Sequence, residues 1–310
     1  MNTAEIGFKS PRPPSFVGKG RRSGLAISAR RAIMNEIADE SAPDATGEDA
    51  ATPLLRNKFY DESSVFTAGN LLREARRQRR LGSAPVPRVC LLDPDGDVVR
   101  HLAASGAATR HEDWACYHSE LWTTSVHGRE IGIVACAVGA PYAVLVAEQL
   151  AESGCDLVVS VTSAGSITPL GTPPYFLLID RAWRDEGTSL HYLPPSEWAH
   201  LAPALAEALD GAFAHLGEPV HRGAAWTTDA PFRETGTAIK AAASVDVHAV
   251  EMEAAGLYAY AQARHRDVVC VAHVTNSMAV AGDDFEKGDA DGTYRILDVV
   301  SAIADRLRPQ

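Results

Sequence analysis

From residue 88 onward, short runs of almost purely apolar, β-favouring residues alternate with longer stretches whose apolar residues recur at helical spacing. No other feature constrains the chain as strongly, because this alternation marks an α/β domain. RVCLL (88–92), IGIVACAV (131–138), DLVVSVTS (156–163), YFLLID (175–180) and DVVCVAHVT (267–275) predict strands. Residues 142–154, 200–217, 252–265 and 293–307 predict helices with one apolar face. The strands carry almost no internal polar residue, so both faces must be covered and most of the sheet must be internal. Ligands of such sheets settle at the carboxyl ends of strands, which directs attention to residues 137–143, 161–167, 180–192 and 274–278.

The 310 residues, 46% of them hydrophobic, suffice for one large core or two modest ones. No stretch reaches the roughly 18 uninterrupted apolar residues of a spanning helix, so a soluble protein with no membrane partner is expected. The net charge of −11 is uneven: residues 89–310 carry 14 basic and 30 acidic side chains, a net of −16. That surface repels phosphate polymers, which argues against a nucleic-acid partner and leaves a small ligand open. Residues 1–52 are rich in Pro, Gly, Ser, Ala and charge without apolar periodicity, and a disordered tail is expected there. Arg21, Arg22, Arg30 and Arg31 introduce no apolar segment, and acids return at Glu36, Asp39 and Glu40, so the tail is not read as a targeting signal and a cytoplasmic location is expected. Residues 53–84 are expected to form a basic helical extension, with Thr67 near an N-cap, Leu71 and Leu72 on one face and five arginines between Arg73 and Arg80, docked on the acidic domain of residues 85–310. Cys90, Cys116, Cys136, Cys155 and Cys270 form no CxxC pair and predict buried, inert thiols in a reducing compartment.

The most specific segment is AVEMEAAGLYAYA (249–261), in which Glu251 and Glu253 bracket Met252 at the predicted start of a helix. Taken alone, acids in a first helical turn simply complement the helix dipole. VEMEAAGLYAYA, however, closely resembles the signature of the nucleoside phosphorylase family, which includes uridine phosphorylases, hexameric purine nucleoside phosphorylases and methylthioadenosine nucleosidases. Residues 137–167 resemble that family's glycine turn, helix, strand and phosphate loop, DEGTSLHY (185–192) its Asp-Gly-Thr-Ser-x-His-Tyr segment, WTTDAPFRET (226–235) its base loop and VAHVTNSM (271–278) its last strand. The resemblance spans roughly residues 85–308. It implies a three-layer α/β/α sandwich around a central mixed sheet, and cleavage of a nucleoside by phosphate into free base and pentose 1-phosphate. It further implies no cofactor and no metal, inorganic phosphate as co-substrate, and a homo-oligomer built on dimers, up to a hexamer. By the same resemblance Glu253 holds the ribose hydroxyls, Met252 floors the sugar and Glu251 supports them. Ser163, Ala164, Gly165 and Gly139, with Arg110 lent by a neighbouring subunit, address phosphate, and Arg233 and Asn276 address the base.

The chemistry has its own logic. Breaking an N-glycosidic bond passes through an oxocarbenium-like sugar, which a nearby carboxylate stabilises, and the nucleophile approaches from the face opposite the base. Backbone N–H groups after a strand, as in SVTSAGS (160–166), suit an anionic nucleophile. The chain also departs from the family. Where Gly-Asp-Pro-x-Arg is usual stand Leu92, Asp93, Pro94, Asp95, Gly96 and Asp97, Ser160 replaces a second arginine, and Thr162 and Ser163 replace the Gly and Thr of the phosphate loop. Each lost charge-assisted bond removes about 1.5–3 kcal/mol of phosphate binding. Acids in that position resemble the hydrolytic nucleosidases, which makes Asp97 or Asp95 a candidate to position water. Hydrolysis, or nucleoside binding without turnover, therefore stays open beside phosphorolysis. Asn276 cannot deliver a proton as the Asp of purine enzymes does, and with Arg233 it favours an oxo-base such as uracil. His191, Tyr192 and His273 read as core or supporting groups, and Thr67, in the place of a family His, as a hydroxyl able to contact a sugar.

Overall fold

Thr67 is extended, and its hydroxyl accepts a hydrogen bond from the Asn70 N–H at 3.2 Å, so helix α1 (Ala68–Arg79) starts where the sequence predicts. It buries Leu72 and Ala75 and ends on Arg80 in the left-handed conformation. The computed structural model describes residues 52–277 and 292–309, without the side chains of residues 276 and 277. The tail expected over residues 1–52 therefore lies, apart from Thr52, outside the described residues, as does Met278.

After α1 follow β1 (Val89–Asp93), α2 (Asp97–Ser105), β2 (Thr109–Arg110), β3 (Trp122–Val126), β4 (Arg129–Ala135), α3 (Ala140–Glu152) and β5 (Leu157–Ser166). Then come β6 (Tyr175–Asp185), α4 (Ser189–Tyr192), β7 (Trp198–His200), α5 (Pro203–Ala208), β8 (Val220–Thr228), α6 (Gly236–Ser244), β9 (Val247–Glu251), α7 (Ala254–Arg264), β10 (Asp267–Ser277) and α8 (Thr293–Leu307). All five predicted strands form. The helix predicted over 200–217 does not: β7 takes its start and α5 stops at Ala208, before an Asp210-Gly211 turn with Gly211 at φ 68°. Residues 249–251, read as the approach to a helix, instead end strand β9, and α7 begins after Glu253.

The strands build one mixed sheet. β1 pairs in parallel with β4 and β5, and β5 in parallel with β10, while β3 and β2 extend the β4 edge antiparallel. The other half closes on itself. β10 pairs antiparallel with β6, β6 in parallel with β8, β8 in parallel with β9, and β9 antiparallel with the last two residues of β5, so five strands form a ring. Across the whole sheet, Leu91, Ile133, Val159, Leu178 and Val271 are fully buried. Helices α1, α3, α4 and α7 pack in one layer, and α2, α5 and α8 in another. Strands with both faces apolar require this covering, so the mixed internal sheet between helices is the expected three-layer arrangement. Among the described residues no helix is long and apolar enough to cross a membrane.

Packing between α3 and α7 is closest at Gly256, where an added Cβ would lie 2.7 Å from the Ala140 Cβ. Of the five free cysteines, Cys90, Cys116, Cys155 and Cys270 are buried as expected. Cys136 is exposed instead, because β4 ends at Ala135 and Cys136 leaves the sheet at φ 58°.

Candidate active site

At the carboxyl ends of β5 and β10 lies a cleft of about 360 Å3. It is lined by Thr162 to Gly165 from β5, by Glu251, Met252 and Glu253, by Pro231, Phe232 and Glu234 from the segment after β8, by Val250, which pairs with Gly165, and by Thr275, with Pro94, Asp95 and Val138 completing it. Thr275 sits in a β-bulge, between Val274 paired with Ala164 and Asn276 paired with Gly165.

Two strands and the starts of two helices hold the paired carboxylates. Glu251 ends β9; its Oε2 accepts hydrogen bonds from the Glu253 and Ala254 N–H groups at 2.7 Å each, and its Oε1 accepts one from the Thr227 hydroxyl on β8. Thr227 Oγ1 in turn accepts from the Ala255 N–H at 3.0 Å. Glu251 thus ties the start of α7 to β8 and β9, satisfying N–H groups that have no partner within the helix. Both its oxygens are engaged by the chain. Burial pushes its pKa up to about 7 against those hydrogen bonds.

Glu253 is 1% exposed. Its Oε1 accepts from the Gly139 N–H at 2.7 Å and its Oε2 from the Met252 N–H at 3.3 Å. Gly139, at φ 82°, precedes α3, so one bond joins the starts of α3 and α7. Burial first, then repulsion from Glu251, pushes the Glu253 carboxyl up to about 8, with Asp95 adding to the shift. The Gly139 N–H, expected to face phosphate, is given to this carboxylate.

Asp95 caps Ser163. Its Oδ2 accepts from the Ser163 N–H at 3.0 Å and its Oδ1 from the Ser163 hydroxyl at 2.9 Å. The turn that presents it is fixed by buried Asp93, whose carboxylate accepts from the Gly96 and Val99 N–H groups at 3.1 Å each. Burial raises Asp93 to about 6, with Asp95 and Asp97 contributing repulsion.

The structure thus gathers Ser163, Ala164, Gly165, Glu251, Met252 and Glu253 in one cleft. Among the described residues, four predicted ones stand outside its lining: Asp97, Arg110, Gly139 and Arg233. Asp97 opens α2 and is paired with Arg100, one helical turn on. Arg110, on the edge strand β2, pairs with Glu120 at 2.7 Å and Glu112 at 3.8 Å. Arg233 is exposed between Phe232 and Glu234, which line the cleft in its place. The side chain of Asn276 lies outside the described residues, and its backbone borders Gly165. Thr227 and Glu234 were not singled out as site residues. Both lie in the base-loop segment, but nothing local in the sequence tells which of its side chains turn inward.

His191, Tyr192 and Thr67 line a separate, larger cavity of about 560 Å3 with Phe66, Leu71, Val144 and Leu145. There Tyr192 donates to Glu148 at 2.7 Å, and burial and Lys58 lower the His191 pKa. His273 is buried, stacked on Phe176 with centroids 4.4 Å apart.

A crystal structure of purine nucleoside phosphorylase from Toxoplasma gondii in complex with immucillin-H is similar to this fold with a TM-score of 0.61, at 20% identity, over 73% of this chain and 93% of that one. The sequence profile of the phosphorylase superfamily matches residues 88–305, and the chain belongs to that superfamily.

Proposed function

We propose that the protein cleaves the N-glycosidic bond of a nucleoside, with phosphate as acceptor, to give free base and pentose 1-phosphate. The observation that carries this reading is the buried Glu253 carboxyl in a cleft that also carries Ser163 to Gly165 of β5 and Phe232, Glu234 and Thr275. A sugar placed over Met252 has its hydroxyls at Glu253, whose ionised form offsets the positive charge that develops at the anomeric carbon. The acceptor attacks from the Ser163 side as the base departs on the other. This reaction needs no cofactor, and superfamily membership supports phosphate as the acceptor.

One observation favours a second reading. The Asp95 carboxylate accepts from both Ser163 donors that an incoming phosphate would use, an arrangement suited to holding a water. Incubating the purified protein with a nucleoside panel, with and without phosphate, separates the two. Phosphorolysis predicts phosphate-dependent base release with pentose 1-phosphate; free pentose without phosphate means hydrolysis, and no base release from any nucleoside refutes both. The five free cysteines support a cytoplasmic location, and exposed Phe66 and Leu145 beside the larger cavity support a homo-oligomer.

A further inference from the structure

The larger cavity, of about 560 Å3, has no part in the nucleoside-cleaving reading. It opens between the start of α1, one face of α3 and the segment leading into α4, and its apolar lining includes Phe66, Leu71, Val144 and Leu145. Its volume falls within the roughly 300–1,000 Å3 of small-molecule sites. The ionisable groups of the lining already have partners. Glu148 accepts from the Tyr192 hydroxyl at 2.7 Å, Asp229 from the Gly187 N–H at 2.9 Å, and His191 Nδ1 from the Lys58 ammonium at 3.1 Å. One buried polar atom does not. Gln149 is 1% exposed, and its Nε2 donates to the Leu145 carbonyl at 3.1 Å. A carbonyl accepts and cannot donate, so this bond fixes which end of the amide is which and makes Oε1 the remaining acceptor. Among the described residues no donor reaches Gln149 Oε1. A buried acceptor without a donor is costly unless a ligand supplies one.

We propose that this cavity is a second small-molecule site, separate from the cleft, for an uncharged and largely apolar ligand that brings a single N–H or O–H donor to Gln149 Oε1. A charged ligand gains little here, because the acids and the histidine are already engaged by the chain. An apolar body covers Val144 and removes Phe66 and Leu145, 69% and 38% exposed, from water. The donor then sets the orientation. A lone acceptor in apolar surroundings discriminates between a ligand with an N–H and one of the same shape without it, since the second leaves Oε1 unpaired. None of the residues lining this cavity lines the cleft, so the site stands independently of the cleavage reading.

The test titrates the full chain by calorimetry with indole and with benzofuran, the same bicycle with an ether oxygen in place of the N–H. Indole should bind at least about tenfold more tightly than benzofuran. Gln149→Leu, which keeps the bulk and removes the acceptor, should erase that preference. Leu145→Trp, which fills the cavity, should weaken indole about tenfold or more, with thermal melts confirming that both variants fold. Equal affinities in the wild type overturn the proposal, and that comparison needs no variant. So does a preference for indole that survives Gln149→Leu, or an indole affinity that Leu145→Trp leaves unchanged, which places indole elsewhere. Binding of neither compound also overturns it, whether the cavity is closed by its own walls or by a second copy of the chain.

Discussion

At the scale of single residues, the site rests on a carboxyl whose environment works against its own charge. Glu253 is pushed to about 8 from an ordinary 4.5. On the proposed mechanism the ionised form offsets charge on the sugar, so kcat/KM should rise as pH goes from about 6 to about 8, and Glu253→Gln should be flat across that range and about 10²–10³-fold slower. Stability should move the other way. Between about 4.5 and 8 the folded protein holds a proton that the unfolded chain releases, so the melting temperature should fall with rising pH, and less steeply in Glu253→Gln. Thermal melts across this window check it. Glu253 was legible in the sequence because Glu-Met-Glu is a local signature. The grip of Asp95 on Ser163 was not, because 68 residues separate them and only the β1–β5 pairing brings them together.

At the scale of elements, the decisive contact is the crossing of α3 and α7. Gly256 gives the closeness there, and the Gly139–Glu253 bond lies at the starts of the same two helices. Gly256→Ala would force its Cβ onto Ala140, so it should cost about 1–3 kcal/mol and, by loosening the Gly139 N–H from Glu253, lower kcat beyond the loss in folded protein. Chemical denaturation together with kcat per folded molecule separates the two effects. Elements were legible where burial leaves a run of large apolar side chains, as in β1, β5 and β10. β8 and β9 escaped notice because VHRGAAWTT and VHAVE mix small and polar residues, and their place is set by neighbouring strands rather than by their own pattern. The overlong helix at 200–217 has the opposite cause, an alanine-rich periodicity overridden by Gly211.

At the scale of the whole molecule, the basic helix is part of the packed unit. Leu72 and Ala75 are buried, and Arg79 donates to the Cys116 carbonyl at 2.9 Å. Removing residues 1–84 should cost at least the roughly 2–5 kcal/mol of one buried leucine and expose apolar surface. Melts and light scattering of the truncated protein check this. The ring of β5, β10, β6, β8 and β9 carries a larger consequence. Each of its strands is laced to a neighbour on either side, so no one of them can yield to an ill-fitting ligand without breaking two ladders at once. The parts of the cleft mounted on this hoop, residues 162–165, 250–251 and 275, act as a fixed gauge. The short span from Asp229 to Thr235, between β8 and α6, belongs to no ladder of the hoop, so on the proposed function changes there can alter which base is accepted without disturbing the hoop.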